Sequence, residues 1–458
     1  MIIKTISKAV RKYCPAAYRF TLSLKSRFSS REKKQLLENF ISQTALQAAG
    51  YILPLITLPY LVRVLGAEKF GLISFAQAFI AYFATITDYG FNLSATREIS
   101  INRADKGKIS EILSSVLAVK SALLLLSFAL LAALVFSFSR FRGDWPLYFL
   151  TFGLVLGQVL FPTWFFQGME RMKYTTFISL AARLLFTVLI FVFVRSAGDY
   201  RYVPILNSLG AIASGLFSLA VIRRDFGVRF VLPGAAQLKH QLKEGWHIFI
   251  STIAVSLYTT SNTFILGLFA SNAIVGYYAG AEKLVRAVQG LVVPVSLVVY
   301  PYISKLAAES REKALDFVRK LIKIVGGVTF ILSLMLFFFA SQIVRITLGV
   351  QYQQSVYVLR VLAAVPFIVG LNNALGMQLM LNFGYKEAFS KILIYAAIFG
   401  IFFTFMLVPV YKHIGTSFVA LSTEIFVTTA MFLYLRHKKV LSFTYLLGGA
   451  APHDAAPL

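Results

Sequence analysis

Eight ionisable side chains lie within long apolar stretches of this chain: Lys120, Arg183, Lys283, Arg286 and Arg360 are basic, and Asp88, Glu282 and Glu424 are acidic. At mid-bilayer each would cost at least about 2.5–3.5 kcal/mol, so each must face a cavity, a partner or water. Glu282 and Arg286 are four residues apart and Lys283 and Arg286 three apart, so one helix presents an acid and two bases on neighbouring faces. One reading of that cluster is a local ion pair that neutralises itself; the other is a ligand site. The set carries a surplus of two positive charges, which Arg63 and Arg97 at helix ends would raise. A cavity lined this way favours an anion. Guanidinium binds phosphate or carboxylate through two parallel hydrogen bonds and lysine adds a point charge, so a diphosphate or a uronic-acid-bearing sugar would suit it. Lys120, Arg183 and Arg360 have an alternative, which is to snorkel toward an interface.

Uncharged polar residues gather near the same positions: Ser251, Thr252, Ser256, Tyr258, Thr259, Thr260, Ser261 and Asn262 in one run, Asn372, Asn373 and Gln378 in another. They could bond sugar hydroxyls, or bond helix to helix. For a charge-coupled carrier, Asp88, Glu282 and Glu424 are the groups that could bind and release a proton or Na+. No other cofactor is expected. The chain has no glycine-rich phosphate loop, no zinc-type histidine spacing among its five histidines, and one cysteine, Cys14, so neither ATP hydrolysis nor a cysteine metal site is expected.

The elements that must position these groups are membrane helices. Of 458 residues, 58% are hydrophobic and 14% charged, against about 25% charged in a soluble domain. Runs of about 20 apolar residues or more recur twelve times, at 40–65, 70–93, 112–138, 145–166, 174–194, 202–222, 246–268, 273–303, 317–348, 355–381, 388–411 and 416–435. In lipid such runs must be helices, because the backbone has to satisfy itself. The fold class predicted is therefore an all-α polytopic membrane protein of about twelve spans.

The net charge of +26 would suggest nucleic acid in a soluble protein, but here 32 of the 45 Lys and Arg fall on one side of the twelve spans, eight on the other and five inside. That asymmetry predicts both termini in the cytoplasm and no nucleic-acid partner. Residues 1–34 form a basic tail without a continuous apolar segment, so no cleaved signal is expected there. Ile2, Ile3, Ile6, Val10 and Tyr13 could give it an amphipathic helix on anionic lipid. Residues 441–458 form a carboxy-terminal tail that is Gly/Ala/Pro-rich from Gly448 onward.

A shift of 205 residues aligns Phe70-Gly71-Leu72-Ile73-Ser74-Phe75-Ala76-Gln77 with Val275-Gly276-Tyr277-Tyr278-Ala279-Gly280-Ala281-Glu282, and Glu111 with Asp316. This predicts two six-helix lobes, 35–226 and 245–440, joined by a linker at 227–244 and related by a parallel repeat. Pro54 and Pro59 in the first span, and Pro366 in the tenth, each remove a backbone hydrogen bond and are hinge candidates, as are Pro162 and Pro294.

The stretch Leu53-Pro54-Leu55-Ile56-Thr57-Leu58-Pro59-Tyr60-Leu61, with Val64-Leu65-Gly66, Phe70-Gly71, Asp88-Tyr89-Gly90-Phe91 and Thr96-Arg97-Glu98, resembles the start of Wzx-type polysaccharide flippases of the multidrug/oligosaccharidyl-lipid/polysaccharide exporter superfamily. The long basic tail departs from that pattern. The resemblance implies a bacterial inner-membrane carrier, not an enzyme, that moves undecaprenyl-diphosphate-linked oligosaccharide from the cytoplasmic to the periplasmic leaflet by alternating access, with ion coupling in some members. Its partners would be that substrate, membrane lipid and other polysaccharide-assembly membrane proteins. The substrate-binding candidates are then Arg183, Lys283, Arg286, Lys120, Arg360, Arg97, Asn262, Asn372 and Asn373. A multidrug or cation exporter of the same superfamily is the alternative. A glycan polymerase or acyltransferase would want a large outer loop or a His/Asp pair in the membrane, and neither is visible.

Overall fold

The computed structural model describes residues 30–441, which are helical with no strand among them. Cys14, the amphipathic stretch from Ile2 to Tyr13 and the 442–458 tail lie outside the described residues, as do the side chains of Ser251, Tyr258, Thr259 and Pro294. The first helix, α1 (Ser30–Asp88), has 59 residues, about 90 Å at 1.5 Å per residue and far beyond a hydrocarbon core of about 30 Å. Gly66 breaks it with φ 69° and ψ 173°, in the polar gap between the first two apolar runs. Its two arms are the first two expected spans. Pro54 and Pro59 lie within the first arm, and the non-helical dihedrals fall at Gly66 instead. Thr57 donates to the carbonyls of Leu53 and Pro54 beside them.

Then follow α2 (Phe91–Ile101), α3 (Lys106–Ser137), α4 (Ser139–Arg142), α5 (Trp145–Leu160), α6 (Thr163–Gly168), α7 (Met172–Phe193) and α8 (Tyr202–Asp225). Next come α9 (Ala235–Phe269), which begins inside the expected 227–244 linker, α10 (Asn272–Gln289), α11 (Val292–Glu309), α12 (Arg311–Phe338), α13 (Ala340–Thr347), α14 (Ser355–Leu362), α15 (Val365–Asn372) and α16 (Lys386–His437). Eight segments among the described residues are long and apolar enough to cross a membrane, and two of these, of 61 and 52 residues, are double-length. Helix α16 is broken at Lys412 (φ 48°, ψ −126°), in the gap between the last two apolar runs.

Five expected spans are divided: 70–93 breaks at Tyr89-Gly90, 145–166 breaks at Phe161-Pro162, and three more break in the second half. The run 273–303 splits at Gly290-Leu291, because Pro294 has no N–H to give the Gly290 carbonyl. The run 317–348 breaks at Phe339. The run 355–381 breaks at Ala363-Ala364 and then widens into a π-type turn over Asn373–Met380. Pro366 therefore sits in the first turn of α15, where the helix has no bond to lose, rather than inside a continuous span.

Large apolar side chains such as Leu125, Phe177, Ile398 and Phe402 point outward, as lipid requires. Within the core, Phe75 and Phe79 of α1 stack on Phe264 of α9 with ring centroids 5.7 and 5.3 Å apart, joining the two halves of the chain. The second arm of α1 and α10 approach closely across the halves. A Cβ on Gly71 would lie 1.8 Å from the Asn272 carbonyl oxygen, and one on Gly276 would lie 2.2 Å from the Ala67 carbonyl oxygen. Glu68 accepts from the backbone N–H of Ala273 at 3.0 Å. Gly71 and Gly276, like Glu68 and Ala273, are 205 residues apart. Residues at this 205-residue offset thus touch.

Candidate functional site

Two cavities lie beside α10. The larger, about 630 Å³, is bounded by both arms of α1 and by α5, α7 and α8. Its polar lining consists of Thr57, Gln77, Gln158, Ser179, Arg183, Thr187, Asn207 and Ser214, with Lys283 of α10 closing it from the other half of the chain. It holds two cations, and no carboxylate lines it. The Arg183 guanidinium has room because residue 50 is glycine: a Cβ there would lie 2.9 Å from Arg183 Nη1. That nitrogen is 3.5 Å from the Leu46 carbonyl, so most of its hydrogen-bonding capacity faces the cavity. The Lys283 ammonium sits 4.7 Å from the centre of the Phe70 ring, a cation–π contact that holds the charge without neutralising it.

The smaller cavity, about 210 Å³, lies between α9, α10, α14, α15 and α16. Asn262, Tyr278, Glu282, Arg286, Gln289, Thr423 and Glu424 line it. Here the charges are paired or held. Arg286 Nη2 donates to Glu282 Oε1 at 2.8 Å, and Thr263 donates to Glu282 Oε2 at 3.2 Å. Asn372 Nδ2 donates to Glu424 Oε2 at 2.6 Å, and the Asn372 side-chain oxygen in turn accepts from Thr428. The local ion pair read from the 282–286 spacing is therefore present, and it lines a cavity as well.

The two cavities share a plan. Thr57, Ile73 and Gln77 line the larger, and the residues 205 positions later, Asn262, Tyr278 and Glu282, line the smaller.

The remaining candidates fall elsewhere. Lys120, 2% exposed at its side chain, reaches Asp88 at 3.4 Å. Asp88 also accepts two contacts from Asn92 Nδ2, at 2.9 and 3.0 Å. This buried pair fastens α3 to the end of α1 and lines neither cavity, so Lys120 and Asp88 satisfy each other rather than a ligand. Arg97 on α2 and Arg360 in the last turn of α14 are exposed and also line neither. Asn373 accepts from Ser296 and belongs to a helix–helix contact. Two polar residues of α9 bond across helices too: Ser256 lies 3.4 Å from Thr85, and Ser261 accepts from Tyr82 at 2.8 Å. Of that group Asn262 lines a cavity.

Gln158 and Asn207 were not apparent from the sequence, where each is a single amide in an apolar run. The sequence did offer a signal for Gln77, because the repeat places it opposite Glu282.

A family model for polysaccharide biosynthesis proteins matches residues 36–307. A curated relative from Escherichia coli (strain K12), named "Putative O-antigen transporter", is 33% identical over 412 residues, covering 89% of this chain and 99% of its own. Among solved structures, lipid II flippase MurJ in an inward closed conformation superposes with TM-score 0.68 at 13% identity, over 88% of this chain and 87% of that one. An inward-facing MATE-family multidrug transporter gives 0.65 at 16% identity, over 90% and 100%. At those identities the structural likeness concerns the fold. The family match, the transporter relative and the bundle of apolar helices converge: the chain belongs to the polysaccharide biosynthesis protein family, and it is a multi-pass membrane transporter rather than an enzyme.

Proposed function

We propose that this protein carries undecaprenyl-diphosphate-linked oligosaccharide from the cytoplasmic to the periplasmic leaflet of a bacterial inner membrane, through alternating access of two six-helix lobes that together make twelve crossings. The observation that carries this reading is the larger cavity, with Arg183 from the first half and Lys283 from the second and no carboxylate in the lining. A diphosphate bridging the two would draw the halves together, and its release would let them part, so binding is coupled to motion by charge. The relative's name supports the glycan class of the cargo. Basic residues concentrated on one side of the expected spans support cytoplasmic termini.

Coupling to a proton or Na+ would fall to Glu424, which is held by an amide, rather than to Asp88 or Glu282, which are ion-paired. A cation exporter would want an acid in the large cavity, and the lining there is basic.

The test is a proteoliposome assay that follows a lipid-linked oligosaccharide between leaflets. Replacing Arg183 or Lys283 by Ala should slow transfer at least tenfold, the scale of one lost charge-assisted hydrogen bond, without loss of membrane insertion. Wild-type rates in both variants would sink the reading. A Glu424→Gln variant whose transfer no longer responds to an ion gradient would support coupling there, and an unchanged response would remove it.

A further inference from the structure

We propose that the smaller cavity recognises the first sugar of the transported unit, so that α10 reads phosphate on one side and carbohydrate on the other. The inference rests on the flippase reading and adds a second ligand subsite to it. In a lipid-linked glycan the first sugar hangs directly from the distal phosphate, so a sugar reader must adjoin a phosphate reader. Lys283 and Glu282 are consecutive on α10, about 1.5 Å apart along the axis and about 100° apart around it. Lys283 lines the larger cavity and Glu282 the smaller.

The chemistry of the smaller lining suits hydroxyl groups. Asn262 and Gln289 each bring an amide donor and acceptor, and the Glu282–Arg286 pair brings acceptor and donor side by side. Such side chains bond neighbouring hydroxyls in pairs. A bare cation would fit Glu282 less well, since that carboxylate already holds Arg286 and Thr263. At about 210 Å³ the space is smaller than the roughly 300–1,000 Å³ typical of sites for larger ligands, and is in keeping with a single ring.

The repeat sharpens the case. The positions that carry Thr57, Ile73 and Gln77 in the larger cavity carry Asn262, Tyr278 and Glu282 in the smaller, so the second site has an added amide, an aromatic ring and a carboxylate on a shared plan.

The experiment measures binding to the full-length protein in nanodiscs of undecaprenyl diphosphate alone, and of the same lipid bearing one N-acetylglucosamine, one glucose or one galactose. The wild type should prefer at least one sugar-bearing probe by about tenfold, and Asn262→Ala and Gln289→Ala should each collapse that ratio to near one. Gln289→Glu, which keeps the length and an acceptor, should retain part of the preference, which a merely misfolded site would not. No preference for any sugar in the wild type, or a preference that survives both alanine variants, overturns the proposal. Failure of every probe to bind, with Lys283→Ala making no difference, would instead overturn the flippase reading on which it rests.

Discussion

The two cavities flank the same helix and are lined in part by residues 205 positions apart, yet one concentrates positive charge without a carboxylate and the other ties its charges into pairs. In the larger, Arg183 and Lys283 have carbonyl and ring contacts but no acid in the lining. In the smaller, Arg286 is bonded to Glu282 four residues earlier. A free cation in a low-dielectric pocket attracts an anion strongly, whereas a satisfied pair presents hydrogen-bonding groups with little net field. On the proposed reading, a few side chains decide which of the two pockets takes charge and which takes hydroxyls.

The largest effect is expected from a residue in neither cavity. Lys120→Met would leave the partly buried Asp88 without its cation, costing up to about 3 kcal/mol, read as a fall in thermal stability of the purified protein. Its double variant with Asp88→Asn should recover most of that loss. Recovery would separate the charge that holds helices together from the charges that bind.

Within the larger cavity, Lys283→Glu cancels the cationic surplus and should cut transfer of a lipid-linked oligosaccharide about a hundredfold, two charge-assisted contacts' worth. Gln77→Glu gives the larger cavity the acid found at the matching place in the smaller. Because Arg183 and Lys283 would then have a competing partner, transfer should fall about tenfold, and an unchanged rate would show that the contrast between the cavities does not matter. At the small end, Arg360→Ala should alter transfer less than about twofold, since that side chain is exposed and lines neither cavity.

Helix positions were legible in the sequence where polar punctuation is strong: Gly66 and Lys412 break α1 and α16 inside gaps between apolar runs. Gly71 and Gly276, aligned by the 205-residue shift in the sequence, also lie against each other in space. Which way a membrane helix faces was not legible. In water an apolar stripe marks the buried side, but in lipid both the packed and the lipid-facing sides are apolar, so periodicity says little about what meets what. Lys120 and Asp88 are 32 residues apart on separate helices, and nothing in their spacing announces the pair. For the same reason Gln158 and Asn207 read as isolated amides until the packing of α5 and α8 turned them into one cavity. Arg183 and Lys283, chosen for their cost in lipid, do share a cavity; Arg360, chosen on the same ground, and Arg97, chosen as a helix-end cation, are exposed and line neither cavity.

The central claim is that a cargo diphosphate sits between Arg183 of one half and Lys283 of the other. A structure of the protein with undecaprenyl-diphosphate-linked sugar bound tests it most directly. The account predicts phosphate oxygens within about 4 Å of both cationic groups, the ordinary reach of an ion pair. Phosphate held outside the larger cavity, away from both side chains, would contradict it.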